Sequence, residues 1–250
     1  MTARSGLTAM LIHGINPVLE ALRAGRVVAL TVSRRADRRL QEVLRLAEAL
    51  GVSVEYTELH ELDRRTGLRA HQGLVAQVVP AREHTPEALV QAVDGPALLV
   101  VLDGIEDPQN VGAILRSVDA SGSHGVVRQA RRAARLDAAA ARASAGAVSH
   151  VPVATVVNIA RTLEALKSLG VWTVGLAADA PLFYDQVDFT LPTAVVLGAE
   201  GAGLRRLVRE RCDRLAAIPM RGHVGSLNVS VAAGVVLFEA LRQRRRAGLS

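Results

Sequence analysis

A chain of 250 residues with 30 Lys+Arg against 24 Asp+Glu carries a formal charge of +6, and this length suits two small domains or one large one, either able to bury a sizeable core. At 50% hydrophobic and 22% charged residues, the composition excludes disorder for the bulk of the chain. The longest nearly apolar stretch, 229–241, is broken by Ser230 and Glu239 and falls short of the roughly 18–20 residues of a membrane span.

In chain order, residues 1–10 are mixed in character and carry no secretory signature. Residues 16–24 show a helix pattern closed by Gly25, and a β-rich run follows at 27–32. Apolar residues at 40, 43, 44, 46, 47 and 50 place a second helix over 38–50, ended by Gly51. Strands are expected at 52–56 and, after Gly73, at 74–79. Together these make a small α/β domain, 1–80. The polar stretch 80–86 is bounded by prolines and reads as a linker, followed by a helix over 86–93 that starts on Pro86; linker and helix occupy 81–96.

The remainder, 97–250, reads as an α/β domain. Continuous apolar runs at 97–102, 171–176 and 194–197 alternate with helical patterns at 111–120 and 159–169, which implies a parallel sheet covered on both faces. Ligands of such sheets bind beyond the carboxyl ends of the strands. The Ala/Arg-rich stretch 131–147 leaves helix and loop both open. A last helix, 229–241, is apolar nearly all round and must be buried on most sides, inside the domain or against another chain. Past it, Arg242-Gln-Arg-Arg-Arg246 reads as a solvated basic tail.

The basic excess is almost entirely arginine, Lys167 being the only lysine. Arginine's planar fork suits phosphate, so a nucleic-acid surface is one reading and arginine-favouring codon usage the other. Arg34, Arg35, Arg38 and Arg39 in the first domain, and Arg128, Arg131, Arg132 and Arg135 in the second, are the candidates for RNA-phosphate contacts, with ordinary solvated charge as the alternative. Aromatics at 2% leave little for a base-stacking platform, so any RNA contact should run through phosphate, shape and hydrogen bonds. The single cysteine, Cys212, excludes an internal disulfide and a cysteine-rich zinc site and fits a cytoplasmic protein. The seven histidines form no HExxH and no i, i+4 pair, so no metal is expected.

Three segments could carry chemistry. The first runs from Asp103 to Val118, after the first apolar strand. Asn110 reads as the N-cap of its helix, with Val111, Ile114, Leu115 and Val118 on one core stripe. Arg116 lies off that stripe, and Gly112, four residues earlier on the same face, leaves room for the guanidinium to reach back towards the strand end. A surface pair with Asp119 is the alternative. The second segment, Val195 to Leu204, is spaced GxxGxG, which matches neither the dinucleotide fingerprint nor a P-loop. Its glycines imply close approach of a ligand or of another backbone segment. The third, Ile218 to Ser230, places Ser226 and Asn228 at the start of the last helix, where capping is their simplest role.

Taken together and in this order, Asn110 with Arg116, Leu-Gly-Ala-Glu-Gly-Ala-Gly at 197–203, and Ile-Pro-Met with Ser-Leu-Asn-Val-Ser at 218–230 resemble the three motifs of SPOUT superfamily RNA methyltransferases of the TrmH-like group. His13-Gly14, His71-Gln-Gly73 and Asn158-Ile-Ala-Arg161 bring the chain nearest the RlmB type, which methylates the ribose 2′-oxygen of a guanosine in 23S rRNA. The resemblance implies a C-terminal α/β trefoil-knot domain, one of the rare exceptions to the rule against knots, and an N-terminal domain similar to RNA-binding ribosomal proteins. It implies S-adenosyl-L-methionine as cofactor, held around Gly198, Ala199, Gly203, Ile218, Pro219, Met220 and Leu227. It also implies a catalytic set of Arg116, Asn110, Glu200, Ser226 and Asn228, in which Glu200 could pin a guanidinium. A homodimer burying the last helix would complete the picture. A tRNA or antibiotic-resistance target, and a non-catalytic RNA-binding module of the same fold, stand as alternatives. A nucleotide-dependent Rossmann enzyme is disfavoured by the glycine spacing.

Overall fold

The computed structural model describes residues 10–34, 40–66, 71–79, 84–131, 133–134, 140, 143–145 and 147–249, and the chain divides into two compact units, 1–82 and 83–250. The first unit holds a four-stranded sheet of β1 (Met10–His13), β2 (Val27–Ser33), β3 (Ser53–Thr57) and β4 (Leu74–Val78) in the order β1-β4-β2-β3. Only β2 and β3 run parallel. Val18 and Leu22 of α1 (Ile15–Arg23) and Val43 of α2 (Gln41–Ala49) pack on Leu30, Val32, Leu74 and Ala76. The helix expected from 38 starts at Gln41 among the described residues, since 35–39 lie outside them. β1 and α3 (Leu59–Thr66) were not legible: the strand is four residues long, and the polar α3 sends Leu62 into the buried core.

The His71-Gln-Gly73 segment is explained by bonding within this unit. Ile15 N–H donates to Gln72 Oε1 at 2.9 Å, and Gly73 N–H donates to His71 Nδ1 at 3.0 Å. With Nδ1 accepting, Nε2 carries the ring proton and donates to Asp63 at 2.9 Å. The turn before β4 is thereby stitched to the start of α1 and to the middle of α3.

The second unit is built on a seven-stranded sheet of β5 (Leu98–Asp103), β6 (Gly125–Gln129), β7 (Val153–Val156), β8 (Trp172–Leu176), β9 (Leu182–Phe183), β10 (Thr193–Gly198) and β11 (Arg214–Ala217). Its order is β7-β6-β5-β10-β8-β11-β9, and every pairing is parallel. Side chains alternate between the two faces of each strand. Leu98, Val100 and Leu102 therefore meet α5 (Pro108–Ala120) and α8 (Val229–Arg246), while Leu99 and Val101 meet α6 (Ile159–Ser168) and Leu89 of α4 (Pro86–Gln91). The short α7 (Arg206–Arg211) follows β10.

Two helix ends differ from the sequence expectation. α5 starts at Pro108 with Asp107 as its N-cap, whose carboxylate accepts Gln109 N–H at 3.0 Å, so Asn110 lies inside the first turn and is not the cap. α8 continues to Arg246, and the supposed solvated tail contains a buried arginine. Arg244 donates to the carbonyls of Pro96 (2.7 Å), Phe189 (2.9 Å), Ala97 (3.2 Å) and Leu191 (3.3 Å).

Candidate active site

At the carboxyl end of the sheet, three distant segments meet. α5 presents Asn110, the loop after β10 presents Glu200, and the start of α8 presents Asn228. Asn110 Nδ2 donates to Glu200 Oε1 at 3.0 Å, and Asn228 Nδ2 donates to the same oxygen at 2.6 Å and to Asn110 Oδ1 at 3.0 Å. The other end of the Asn228 amide caps α8, accepting Ser230 N–H at 2.9 Å, Ser230 Oγ–H at 2.6 Å and Val231 N–H at 3.4 Å. An amide is required at this position, because one side chain must both donate to a carboxylate and accept from a helix start.

The loop that carries Glu200 closes on itself. Ala199 N–H donates to Gly203 O at 3.1 Å and Gly203 N–H to Ala199 O at 2.8 Å. Gly201 and Gly203 have φ of +71° and +66°, in the left-handed region that favours glycine. A Cβ on Gly198 would lie 2.2 Å from the carbonyl carbon of Gly203. Of the two close approaches the glycines allowed, the one made at Gly198 is to another backbone segment.

The expected cofactor residues fall on two adjoining stretches. Gly198, Ala199 and Gly203 belong to this loop, and Ile218, Pro219 and Met220 follow β11 directly, with Leu227 just before Asn228. Ile218, Met220 and Leu227 are partly buried, and among the described residues no backbone–backbone hydrogen bond involves 220–227. Partly exposed apolar side chains beside free backbone donors and acceptors suit an adenine and a methionine tail, so the residues present fit S-adenosylmethionine. Among the described residues there is no cluster of three or more His, Cys, Asp or Glu that could hold a metal. Burial pushes the Cys212 thiol up to about 12, which removes it as a nucleophile.

Arg116 and Ser226 make no hydrogen bond to this cluster among the described residues. Glu200 holds two amides rather than a guanidinium. Arg116 is exposed and makes no hydrogen bond or ion pair among the described residues, Asp119 included. It lies roughly 9 Å along the helix axis from Asn110 by helix rise. The room expected above Gly112 is filled: a Cβ there would come within 2.5 Å of Ala143 Cβ and 2.7 Å of Ala140 O. Ser226 is exposed on the loop before α8. Arg34 is exposed and sits 3.7 Å from Glu58, and Arg131 is exposed. Arg128, at the carboxyl end of β6, is partly buried, and its Nε finds no acceptor among the described residues. Burial pulls its guanidinium below the ordinary arginine value. Arg35, Arg38, Arg39, Arg132 and Arg135 lie outside the described residues.

Residues 97–238 match the model of the SpoU rRNA Methylase family, and residues 11–84 match that of RNA 2′-O ribose methyltransferase substrate binding. The 23S rRNA (guanosine-2′-O-)-methyltransferase RlmB of Burkholderia sp is 46% identical, over 94% of this chain and 96% of that protein. An uncharacterized tRNA/rRNA methyltransferase of Mycolicibacterium gilvum is 47% identical, over 94% of this chain and 77% of its own length. The crystal structure of the SpoU methyltransferase AviRb from Streptomyces viridochromogenes with the cofactor AdoMet superposes with a TM-score of 0.70 and 29% identity, covering 95% of this chain and 91% of that one. Fold, site and matches together define an S-adenosylmethionine-dependent RNA methyltransferase. Within that class, the chain belongs to the SpoU rRNA methylase family.

Proposed function

We propose that this protein transfers a methyl group from S-adenosylmethionine to the ribose 2′-oxygen of a guanosine in 23S rRNA. The observation that carries the reading is the Asn110–Glu200–Asn228 cluster, closed by hydrogen bonds between residues 90, 28 and 118 positions apart, at the end of the sheet where ligands of parallel sheets bind. The end-to-end match with RlmB of Burkholderia sp supports 23S rRNA as the target.

When bound, S-adenosylmethionine would supply an electrophilic methyl carbon on a sulfonium, transferred to the 2′-oxygen with the sulfur leaving as a thioether and the hydroxyl proton lost. Gly198, Ala199, Gly203, Ile218, Pro219, Met220 and Leu227 would hold the cofactor, the backbone of the two stretches giving the polar contacts. The chain must align the 2′-oxygen with that carbon. Glu200, fixed by two amides, orients the ribose together with Asn110, Ser226 and Asn228. Arg116 offers its guanidinium to the target phosphate and stabilises the developing alkoxide, while the proton passes to a neighbouring group or to water.

Residues 1–80 act as the RNA-binding domain, and Arg34, Arg35, Arg38, Arg39, Arg128, Arg131, Arg132 and Arg135 meet phosphate. The C-terminal segments thread a trefoil knot, and the protein works in the cytoplasm as a homodimer. Supporting the dimer, α8 leaves Val231 and Phe238 about half exposed, 51% and 49%. Beside them lies a groove of about 410 Å³ lined by Phe238, Leu241, Arg242, Arg245 and Arg246. A surface of this kind suits association with a second copy, with the RNA site shared between subunits.

Incubation with labelled cofactor and, separately, 23S rRNA and tRNA, followed by mapping of the modified nucleotide, tests the reading. Methyl appearing only in tRNA, or in no RNA, would reject it. Arg116→Ala should abolish turnover while calorimetry still finds cofactor binding; a near-normal rate would remove Arg116 from its assigned role.

A further inference from the structure

Asp103 ends the apolar strand β5 with a carboxylate that is fully buried. A buried carboxylate carries a large desolvation cost unless it is paired and hydrogen-bonded, and the partners of this one are specific. Its Oδ1 accepts Arg205 Nε–H at 2.6 Å and forms an ion pair with Nη2 of the same guanidinium. Its Oδ2 accepts the backbone N–H of Arg205 at 2.9 Å. Arg205 Nη2 donates in addition to Gln129 Oε1 at 2.7 Å, at the end of β6. Both edges of one carboxylate are thus spent on a residue 102 positions away.

Arg205 stands at the far end of the loop that carries Glu200. The near end of that loop, Gly198, is the register partner of Asp103 in the β5–β10 ladder. Both ends of the loop are therefore referred to one residue. Asp103 also begins the segment that leads into α5 and Asn110. The next residue, Gly104, has φ of +74°, and a Cβ there would lie 3.9 Å from Ala199 Cβ. An apolar residue at 103 would fill the same space and leave the loop free to drift.

We infer that Asp103 and Arg205, with Gln129 bracing the guanidinium, are positioning residues that hold the Glu200 loop against the segment carrying Asn110. The activity readout rests on the proposed function; the loop readout does not. Arg205→Ala should lower kcat about 100-fold, the scale of loss when a reacting group is misplaced by an ångström, while KM for RNA changes by less than about threefold. Arg205→Lys should recover only part of that loss, because an ammonium can pair with Asp103 but cannot keep the contacts of Nε and Nη2 to Asp103 and Gln129 together. A folded Arg205→Ala variant with parental kcat, or a lysine variant no better than alanine, would overturn the assignment.

If Arg205→Ala fails to fold, Gln129→Ala removes one brace and leaves Asp103 paired. It should lower kcat about fivefold, the factor that corresponds to one hydrogen bond, with a melting temperature lowered by no more than about 4 °C, and no change in kcat would again overturn the assignment. Amide hydrogen exchange needs no RNA: in the same variants, protection should fall across 199–204 and stay parental in α8. A wild-type protein that methylates no RNA would defeat the functional reading alone, and unchanged exchange at 199–204 would defeat this one.

Discussion

The two ends of α8 are each fastened by one polar side chain, and by opposite means. At the amino end, Asn228 divides its amide between the helix and two side chains, Glu200 and Asn110, at a partly exposed surface. At the carboxyl end, Arg244 is buried and gives its guanidinium to four backbone carbonyls in the segments just ahead of β5 and β10. Side-chain partners can be exchanged for a ligand, whereas backbone carbonyls in a core cannot. The first end is therefore built for chemistry and the second for holding the helix in place.

The largest expected effect sits at the first end. Asn228→Ala should lower the methyl-transfer kcat more than about 100-fold, since it releases Glu200 and disturbs the alignment of the reacting groups. Its stability should fall only by the roughly 1 kcal/mol of a lost N-cap, read as a small shift in the urea midpoint. Arg244→Ala reverses the pattern, with a loss of about 3 kcal/mol in urea unfolding, for hydrogen bonds to a charged group, and parental kcat per folded molecule. Equal losses of kcat in both variants would break the contrast between the ends.

The smallest effect sharpens it. His124 accepts Leu98 N–H through Nδ1 at 2.8 Å, and its pKa is lowered, first by burial and then by the charge of Arg244. The unfolded imidazole, near its ordinary value of about 6.5, takes up a proton that the folded one refuses. This contribution to stability is complete above about 6.5 and declines as pH falls from there towards the lower folded value. Urea midpoints measured from about pH 8 to 5 should show that decline in the parent and a shallower one in Arg244→Ala.

The parallel sheet was legible because strands buried on both faces must be apolar along nearly their whole length, as β5 is over 98–102 and β10 over 194–197. β6 and β11 escaped notice because Gly-Val-Val-Arg-Gln and Arg-Leu-Ala-Ala carry polar ends and little alternation. The meeting of Asn110, Glu200 and Asn228 was readable from motif order, but the bonding was not. Asn110 looked like a cap although Asp107-Pro108, the stronger helix start, stood three residues earlier. Gly112 signals close packing, and a sequence does not say whether a glycine makes room for a ligand or for its own chain. Arg244 does carry a signal: Ala233, Leu237, Ala240 and Arg244 follow one helical stripe, which places the last of them inside. The pairing of Asp103 with Arg205 left only a hint, an acid at the end of an otherwise apolar strand.

The strand order carries a consequence for biosynthesis. β10 lies between β5 and β8 in the finished sheet, yet it leaves the ribosome roughly ninety residues after β5, a separation that slows folding. Until it arrives, β5 and β8 offer unsatisfied inner edges to each other and to neighbouring nascent chains. Refolding of this protein should therefore be limited by the late docking of a single central strand.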